Sequence, residues 1–278
     1  MVDSINNATG VLTALRQLQN ASSSLSDSEN RVSTGLRIRQ ARDGAAEYKS
    51  AATMTNDMGA LHAVTMSLGR AEAISDTAIA AGEQISKLLI EMKGMAVAAS
   101  SADLSDDQRA NYAALFEQNK EQLVTFIRAA AFDDANTLDG TKPNGVSFLA
   151  DADAAQQLTL KGRNFLPGGG INLLGGDISF ATAGSAHQAV LAIDATIENV
   201  GRELADMVSE NRRVRDQVKF VGKLADALAS GVSRLVDADL AAESALIQAL
   251  QVKQALTTEA LNIANRAPQS LLTLFRSS

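Results

Sequence analysis

The chain has 278 residues, a formal net charge of −7, 46% hydrophobic residues, only 4% aromatic residues, and neither cysteine nor tryptophan. The negative charge opposes attraction to nucleic acid phosphates or anionic lipid, so neither nucleic acid nor membrane is an expected partner. Without cysteine there are no disulfides, thiolate metal sites or cysteine nucleophiles. An alanine-rich, aromatic-poor composition suits helices packed side by side better than a compact enzyme core. No run approaches the ~18 apolar residues of a membrane-spanning helix, and "MVDSINNATG" lacks the basic and apolar regions of a cleavable signal peptide.

The first element is a heptad seam through Ala8, Val11, Leu15, Leu18, Ser22, Leu25, Glu29, Val32 and Leu36, in which Ser22 and Glu29 are polar interruptions. The second is a long helix with Leu61, Val64, Leu68, Ala71, Ile74, Ala78, Ala81, Ile85, Leu88, Met92 and Met95 on its apolar face. Its pattern slips once, between Ala71 and Ile74. A shorter third helix starts at "SDDQ", where Ser105 caps the first turn and Gln108 reaches back. It continues through Tyr112, Leu115, Phe116, Leu123, Phe126 and Ile127.

Residues 133–184 hold nine of the 19 glycines and two of the three prolines, which breaks the helical pattern. Short β-prone runs in "NTLDGTKPNGVSFLA", "QLTLKGRNF" and "GGDISFAT" alternate with turn signals and predict two or three small hairpins forming a local cap. The fourth helix is expected to open at "SAHQ", with Ser185 and Gln188 as its capping pair. Its seam is Ile193, Ile197, Val200, Leu204, Met207, Asn211, Val214, Val218, Val221, Ala225, Leu228, Val232 and Leu235. The lone polar seam residue, Asn211, fixes register at some cost in stability.

After Leu235 the pattern shifts by one residue and resumes at Val236, Leu240, Glu243, Ile247, Leu250, Gln254, Thr257, Leu261 and Ala264. A change of seam implies a change of partner, and this more polar seam is weaker alone. The expected fold is therefore mainly α: a long antiparallel helical coiled-coil bundle with a small β-hairpin region between the third and fourth helices. The terminal segments, 1–45 and 236–278, pair with each other, while 46–235 forms the core domain with the hairpin region at about 133–184.

Chemical motifs are weak. His62 and His187 are the only histidines and are not spaced as zinc ligands. "PGGG" at 167–170 lacks the Lys and Ser/Thr of a phosphate-binding loop, and "GGGINL" lacks the third glycine of the dinucleotide fingerprint. "DDANTLDG" at 133–140 departs from a calcium loop at Leu138 and has no following glutamate, so a polar loop is the better reading. No catalytic, cofactor or metal residue is assigned, and no enzyme activity is expected. One charge pattern stands out: Arg31, Arg37, Arg39 and Arg42 crowd one junction of the pattern, and Asp237, Asp239 and Glu243 crowd the other, so the two clusters either pair with each other or are each solvated.

The stretch "SENRVSTGLRIRQARDGAAEY" resembles the N-terminal signature of flagellins, and "SRLVDADLAAESALIQALQVKQALTTEALNIANRAPQSLLTLF" resembles their C-terminal one. "EMKGMAVAASSADLSDDQRANYAALFEQNKEQL" and "FDDANTLDG" follow the family's core order, so the resemblance covers nearly the whole chain, in a short form with no large central insertion. The resemblance implies a secreted structural subunit, exported unfolded through the flagellar type III channel and polymerised into a hollow extracellular filament for motility. It implies partners as well: the chain itself, other flagellins, filament cap and hook-associated proteins, and an export chaperone.

In such a filament Leu15, Leu18, Leu25, Val32, Leu36, Leu240, Ile247, Leu250, Leu261, Leu271, Leu272, Leu274 and Phe275 are the expected subunit-interface residues. Arg37, Arg39, Arg42, Asp237, Asp239 and Glu243 are the expected domain junction. The hook–filament junction protein, which shares the terminal helices and the export route, is the alternative. Flagellins sensed by the animal Toll-like receptor resemble Gln-Arg-x-Arg-Glu-Leu where this chain has Ile90, Glu91, Met92, Lys93, Gly94 and Met95. The Arg-to-Glu reversal implies weak receptor activation.

Overall fold

The computed structural model describes residues 9–169, 174 and 178–276. Among them are five helices: α1 (Thr9–Thr34), α2 (Ala45–Ala99), α3 (Asp106–Ala129), α4 (Ala183–Val236) and α5 (Leu240–Arg276). Between α3 and α4 lie four short strands, β1 (Ala131–Phe132), β2 (Ala135–Asn136), β3 (Val146–Leu149) and β4 (Gln157–Leu160). No helix of the described residues is long and apolar enough to cross a membrane. The chain divides into two compact units, one of residues 57–227 and one of residues 1–56 with 228–278.

The unit of residues 57–227 has a dense apolar core. Ile85, Leu89 and Met92 of α2, Phe116, Leu123 and Ile127 of α3, and Ile193, Val200 and Met207 of α4 meet there, all nearly or fully inaccessible to water. Lys93 pairs with Asp194 and Glu72 with Arg215, so α4 runs antiparallel to α2. The seams follow the predicted periods with two local shifts. On α2 the buried positions are Gly82 and Ala96, not the expected Ala81 and Met95. A Cβ at residue 82 would lie 2.7 Å from Leu204 Cδ2, so the glycine's missing side chain admits that leucine. Asn211 is buried as expected, and its Nδ2 donates to Asp76 Oδ1 at 3.0 Å.

α3 opens with the predicted reciprocal cap: Gln108 N donates to Ser105 Oγ, and Ser105 N donates to the Gln108 side chain. The start of α4 differs from expectation. The helix begins at Ala183, and Thr182 Oγ1 accepts from Ser185 N at 3.1 Å while Ser185 Oγ accepts from Thr182 N at 3.0 Å. A competing hydroxyl three residues upstream therefore takes the capping role assigned to Ser185.

The insert forms two antiparallel hairpins. β1 and β2 are joined by Asp133 and Asp134, both at positive φ, the two-residue turn whose twist matches paired strands. β3 pairs with β4 from Val146 opposite Leu160 to Leu149 opposite Gln157. Residues 178–182, the described part of the third β-prone run, are not in a strand. Phe148, Leu158 and Leu160 pack with Ile74 and Val214, so the second hairpin covers the α2–α4 seam. Buried Arg163 holds it there electrostatically, through Glu203 at 2.8 Å and Glu210 at 3.1 Å on α4.

The apparent calcium loop is spent locally. Asp133 pairs with Arg70, and Asp139 Oδ1 accepts from Thr141 N. His62 and His187 are both exposed, and among the described residues no cluster of three His, Asp or Glu is placed to hold a metal. The glycine-rich segment is described through Gly169; its continuation at 170–173 lies outside the described residues.

Candidate assembly interface

The unit of residues 1–56 and 228–278 is built on the pairing of α1 with α5. α1 stops at Gly35, whose positive φ of 71° lets its N–H bond the Arg31 carbonyl at 2.8 Å. The chain then runs alongside the end of α4. Arg37 N donates to Val236 O at 2.6 Å, Ala238 N donates to Gly35 O at 2.9 Å, and Leu36 lies opposite Asp237 in an antiparallel bridge. The predicted seam shift after Leu235 thus coincides with a break at residues 237–239, where α4 ends and α5 begins. The end of α1 and the start of α5 are brought side by side, so the two helices pack antiparallel.

Each charged residue of the junction has its own place. Arg31 Nη1 reaches Glu243 Oε1 at 3.0 Å, half-buried against α5. Arg37 Nη2 donates to Leu235 O at 2.8 Å, a cation on the last carbonyls of α4. Asp239 caps α5, its Oδ1 accepting from Ala241 N at 3.0 Å and Ala242 N at 3.1 Å. Asp237 enters through its backbone and its side chain is exposed. Arg42 lies beside Asp43 at 3.8 Å, and Arg39 forms no ion pair with any described carboxylate. The two clusters therefore meet through Arg31 and Glu243, while Arg37 and Asp239 act on backbone groups.

Asp43, which sequence reading did not single out, accepts from Arg39 N at 3.1 Å and Gln40 N at 3.2 Å. These bonds, the one from Arg39 foremost, together with the nearby Arg39 and Arg42 charges, hold its carboxyl below the ordinary carboxylate value despite a smaller opposing effect of desolvation.

The seam between α1 and α5 is thin and mixed. Its most shielded positions are Ala21 and Ser28 on α1 and Glu243, Leu250 and Thr257 on α5. Leu18, Leu25, Val32, Leu36, Ile247 and Leu261 are half-buried. On α1 the inward row is Ala14, Leu18, Ala21, Leu25, Ser28 and Val32; Ser22 and Glu29, expected in the seam, are exposed. Leu15 faces outward, 49% exposed, as does Leu240. With them stand Leu12, Leu246, Val252, Leu256 and Ile263, the last two 66% and 70% exposed. The backbone of α5 continues to Arg276, but the side chains of Leu271, Leu272, Leu274 and Phe275 lie outside the described residues.

In the other unit, the segment aligned with the receptor-sensed motif has Ile90 and Glu91 exposed and Met92 fully buried. Lys93 Nζ is held by Asp194 at 2.6 Å.

A pair of terminal helices joined at one junction, a thin seam between them and leucines turned outward define a long helical chain that leaves part of its apolar surface uncovered. The sequence matches the bacterial flagellin N-terminal helical region over residues 5–143 and the flagellin C-terminal helical region over residues 190–275. It is 37% identical to the Caulobacter vibrioides flagellin FljM, over 99% of both chains. It is 32% identical to a flagellin of Brucella melitensis, over 98% of this chain and 99% of that one. A crystal structure of Bacillus cereus flagellin is similar over 56% of this chain and 88% of that chain, at 20% identity and a TM-score of 0.48. The chain belongs to the bacterial flagellin family: it is a structural subunit of the extracellular flagellar filament and not an enzyme.

Proposed function

We propose that this subunit is exported unfolded through the flagellar type III channel and polymerises through α1 and α5 into a hollow helical filament. The observation that carries this reading is the outward row of Leu12, Leu15, Leu240, Leu246, Val252, Leu256 and Ile263 beside a seam that buries little. Covering each such side chain contributes about 1.5–3 kcal/mol relative to leaving it in water, and neighbouring subunits supply the cover. Residues 1–45 and 236–278 line the filament core and 46–235 form the surrounding domain. Leu18, Leu25, Val32, Leu36, Ile247, Leu250 and Leu261 bind α1 to α5, and Leu15, Leu240, Leu271, Leu272, Leu274 and Phe275 face neighbours.

In this reading the terminal helices order on assembly, since a polar-interrupted seam is weak in isolation. Circular dichroism of monomer and polymer checks it: helicity rises on polymerisation, and equal helicity in both states refutes coupled folding. Electron microscopy after seeded polymerisation tests the interface. Long filaments from the full chain but not from one truncated before Ser270 support it, while filaments from both leave the C-terminal leucines without a role.

Growth beyond a short collar separates a filament subunit from the hook–filament junction protein. The other partners in this reading are further flagellins, cap and hook-associated proteins, and an export chaperone docking on the apolar C-terminal helix. The exposed Glu91 and the tethered Lys93 favour weak activation of the animal Toll-like receptor, and potent signalling by purified protein in reporter cells would refute that.

A further inference from the structure

Three arginines and two aspartates line one polar pocket of about 370 Å³ in the terminal unit: Asp27, Arg31, Arg39, Arg42 and Asp43. All but one of the guanidinium groups have acceptors. Arg31 is held by Glu243 at 3.0 Å. Arg42 has the Asp43 carboxylate at 3.8 Å and, with the Gln40 amide turned to satisfy both groups, the Gln40 oxygen at 2.8 Å. The Asp43 Oδ2 is already taken by the backbone N–H groups of Arg39 and Gln40.

Arg39 differs. Its Nε is shielded from solvent and has no hydrogen-bond acceptor, and the guanidinium forms no ion pair with Asp27 or Asp43 although both line the same pocket. A shielded cationic donor without an acceptor is costly, and a planar guanidinium is best satisfied by a carboxylate, which accepts two parallel bonds.

We propose that the Arg39 pocket receives an aspartate or glutamate side chain from a second copy of this chain when subunits assemble. The proposal rests on the filament reading above and names a contact within it. Charge complementarity selects the occupant. The chain is acidic overall, at −7, so copies repel on average, and an arginine-lined pocket with one unspent guanidinium is a place where an acidic neighbour is accepted without that penalty. The pocket is fed by α1, whose outward leucines belong to the same proposed interface.

The test uses the full chain and seeded polymerisation. Arg39→Gln is expected to raise the critical concentration for growth about tenfold while the main melting transition of residues 57–227 in the monomer stays in place, and raised salt should narrow the gap between variant and parent. Arg39→Lys, treated in the polymer with a carbodiimide, should give an amide between the introduced amine and a carboxylate, with loss of one water. Mass spectrometry of mixed ¹⁴N and ¹⁵N chains should place that carboxylate on another copy.

Growth of Arg39→Gln at the parental critical concentration overturns the proposal, as does a cross-link confined to Asp27, Asp43 or Glu243 of the same chain. A parental critical concentration that millimolar inorganic phosphate lowers, with that of Arg39→Gln unmoved, would assign the pocket to a free anion and also overturn it. Failure of the parent chain to polymerise at all strikes the filament reading itself, and is told apart because Arg39 plays no part in that result.

Discussion

The two units use the same helical repeat for opposite ends. In residues 57–227 the facing positions are Leu, Ile, Met and Phe with almost no solvent contact, and the hairpins add Phe148 and Leu160 over the remaining gap. In the terminal unit the inward positions include Ala21, Ser28, Glu243 and Thr257, while Leu12 and Leu15 of α1 and Leu240, Leu246, Val252, Leu256 and Ile263 of α5 stand outside. Burial drives folding in proportion to apolar area, so the core of the first unit contributes more stability than the seam of the second. In the assembly proposed above, what stays unsatisfied in the single chain is what drives association.

The contrast is broken most severely by a core truncation that leaves the whole chain unstable. Phe116→Ala, which removes a fully buried ring set edge-on to Phe180 at 5.0 Å, is expected to cost about 3–5 kcal/mol in thermal or denaturant unfolding of the monomer. Leu25→Ala on α1 should leave that same transition almost unmoved and weaken polymerisation instead. If both substitutions shift the monomer's main transition equally, the terminal unit is an independent core and the comparison fails. Next in size is Arg163→Met, about 3–5 kcal/mol at most, because it strands the carboxylates of Glu203 and Glu210 against α4. Restoring part of the loss with Glu210→Gln in the same chain would identify the stranded charge as the cause.

Much of the first unit was readable in advance, and the reason is its regularity. A seam that must be dry tolerates few exceptions, so the α4 row from Ile193 to Leu235 shows its three- and four-residue steps directly, and the Ser105–Gln108 cap is a local signal needing no tertiary partner. The departures arise where another residue competes at close range. Gly82 is chosen over Ala81 by the approach of Leu204, and Thr182 displaces Ser185 as the helix cap.

The terminal seam was harder to read because small and polar residues share its inward row. Ala14, Ala21 and Ser28 stand there beside Leu18 and Leu25, while Leu12 and Leu15 face away. The junction's charges were visible as clusters, yet their targets were not. Two of them, Arg37 and Asp239, bind backbone groups whose positions exist only after the chain has turned, and Asp43, outside both clusters, does the same.

Two smaller substitutions sharpen the comparison at that turn. Gly35→Ala has open space for its methyl, so its whole cost is the left-handed backbone, about 1–2 kcal/mol. Asp239→Ala removes the cap of α5 and costs about 0.5–2 kcal/mol. Both should appear as faster amide hydrogen exchange in α1 and α5 of the polymer with little change in residues 57–227. Equal acceleration in the core would mean that the two units unfold together.

The smallest expected effect is a pH dependence at the same turn. Asp43 is held below its ordinary carboxylate value in the folded chain, first by the Arg39 N–H and then by the Gln40 N–H and the flanking arginine charges. A depressed folded value means that the unfolded chain binds the proton more tightly. The contribution is therefore fully present above the ordinary carboxylate range and is lost as pH falls through the lower folded value. Because the carboxyl is solvent-accessible, salt should diminish the arginine part and leave the two backbone bonds. An NMR titration of Asp43 in the monomer checks the sign. A midpoint at or above that of a short peptide spanning residues 39–43 would show that the turn is not formed before assembly, and would move the boundary of coupled folding inward past Gly44.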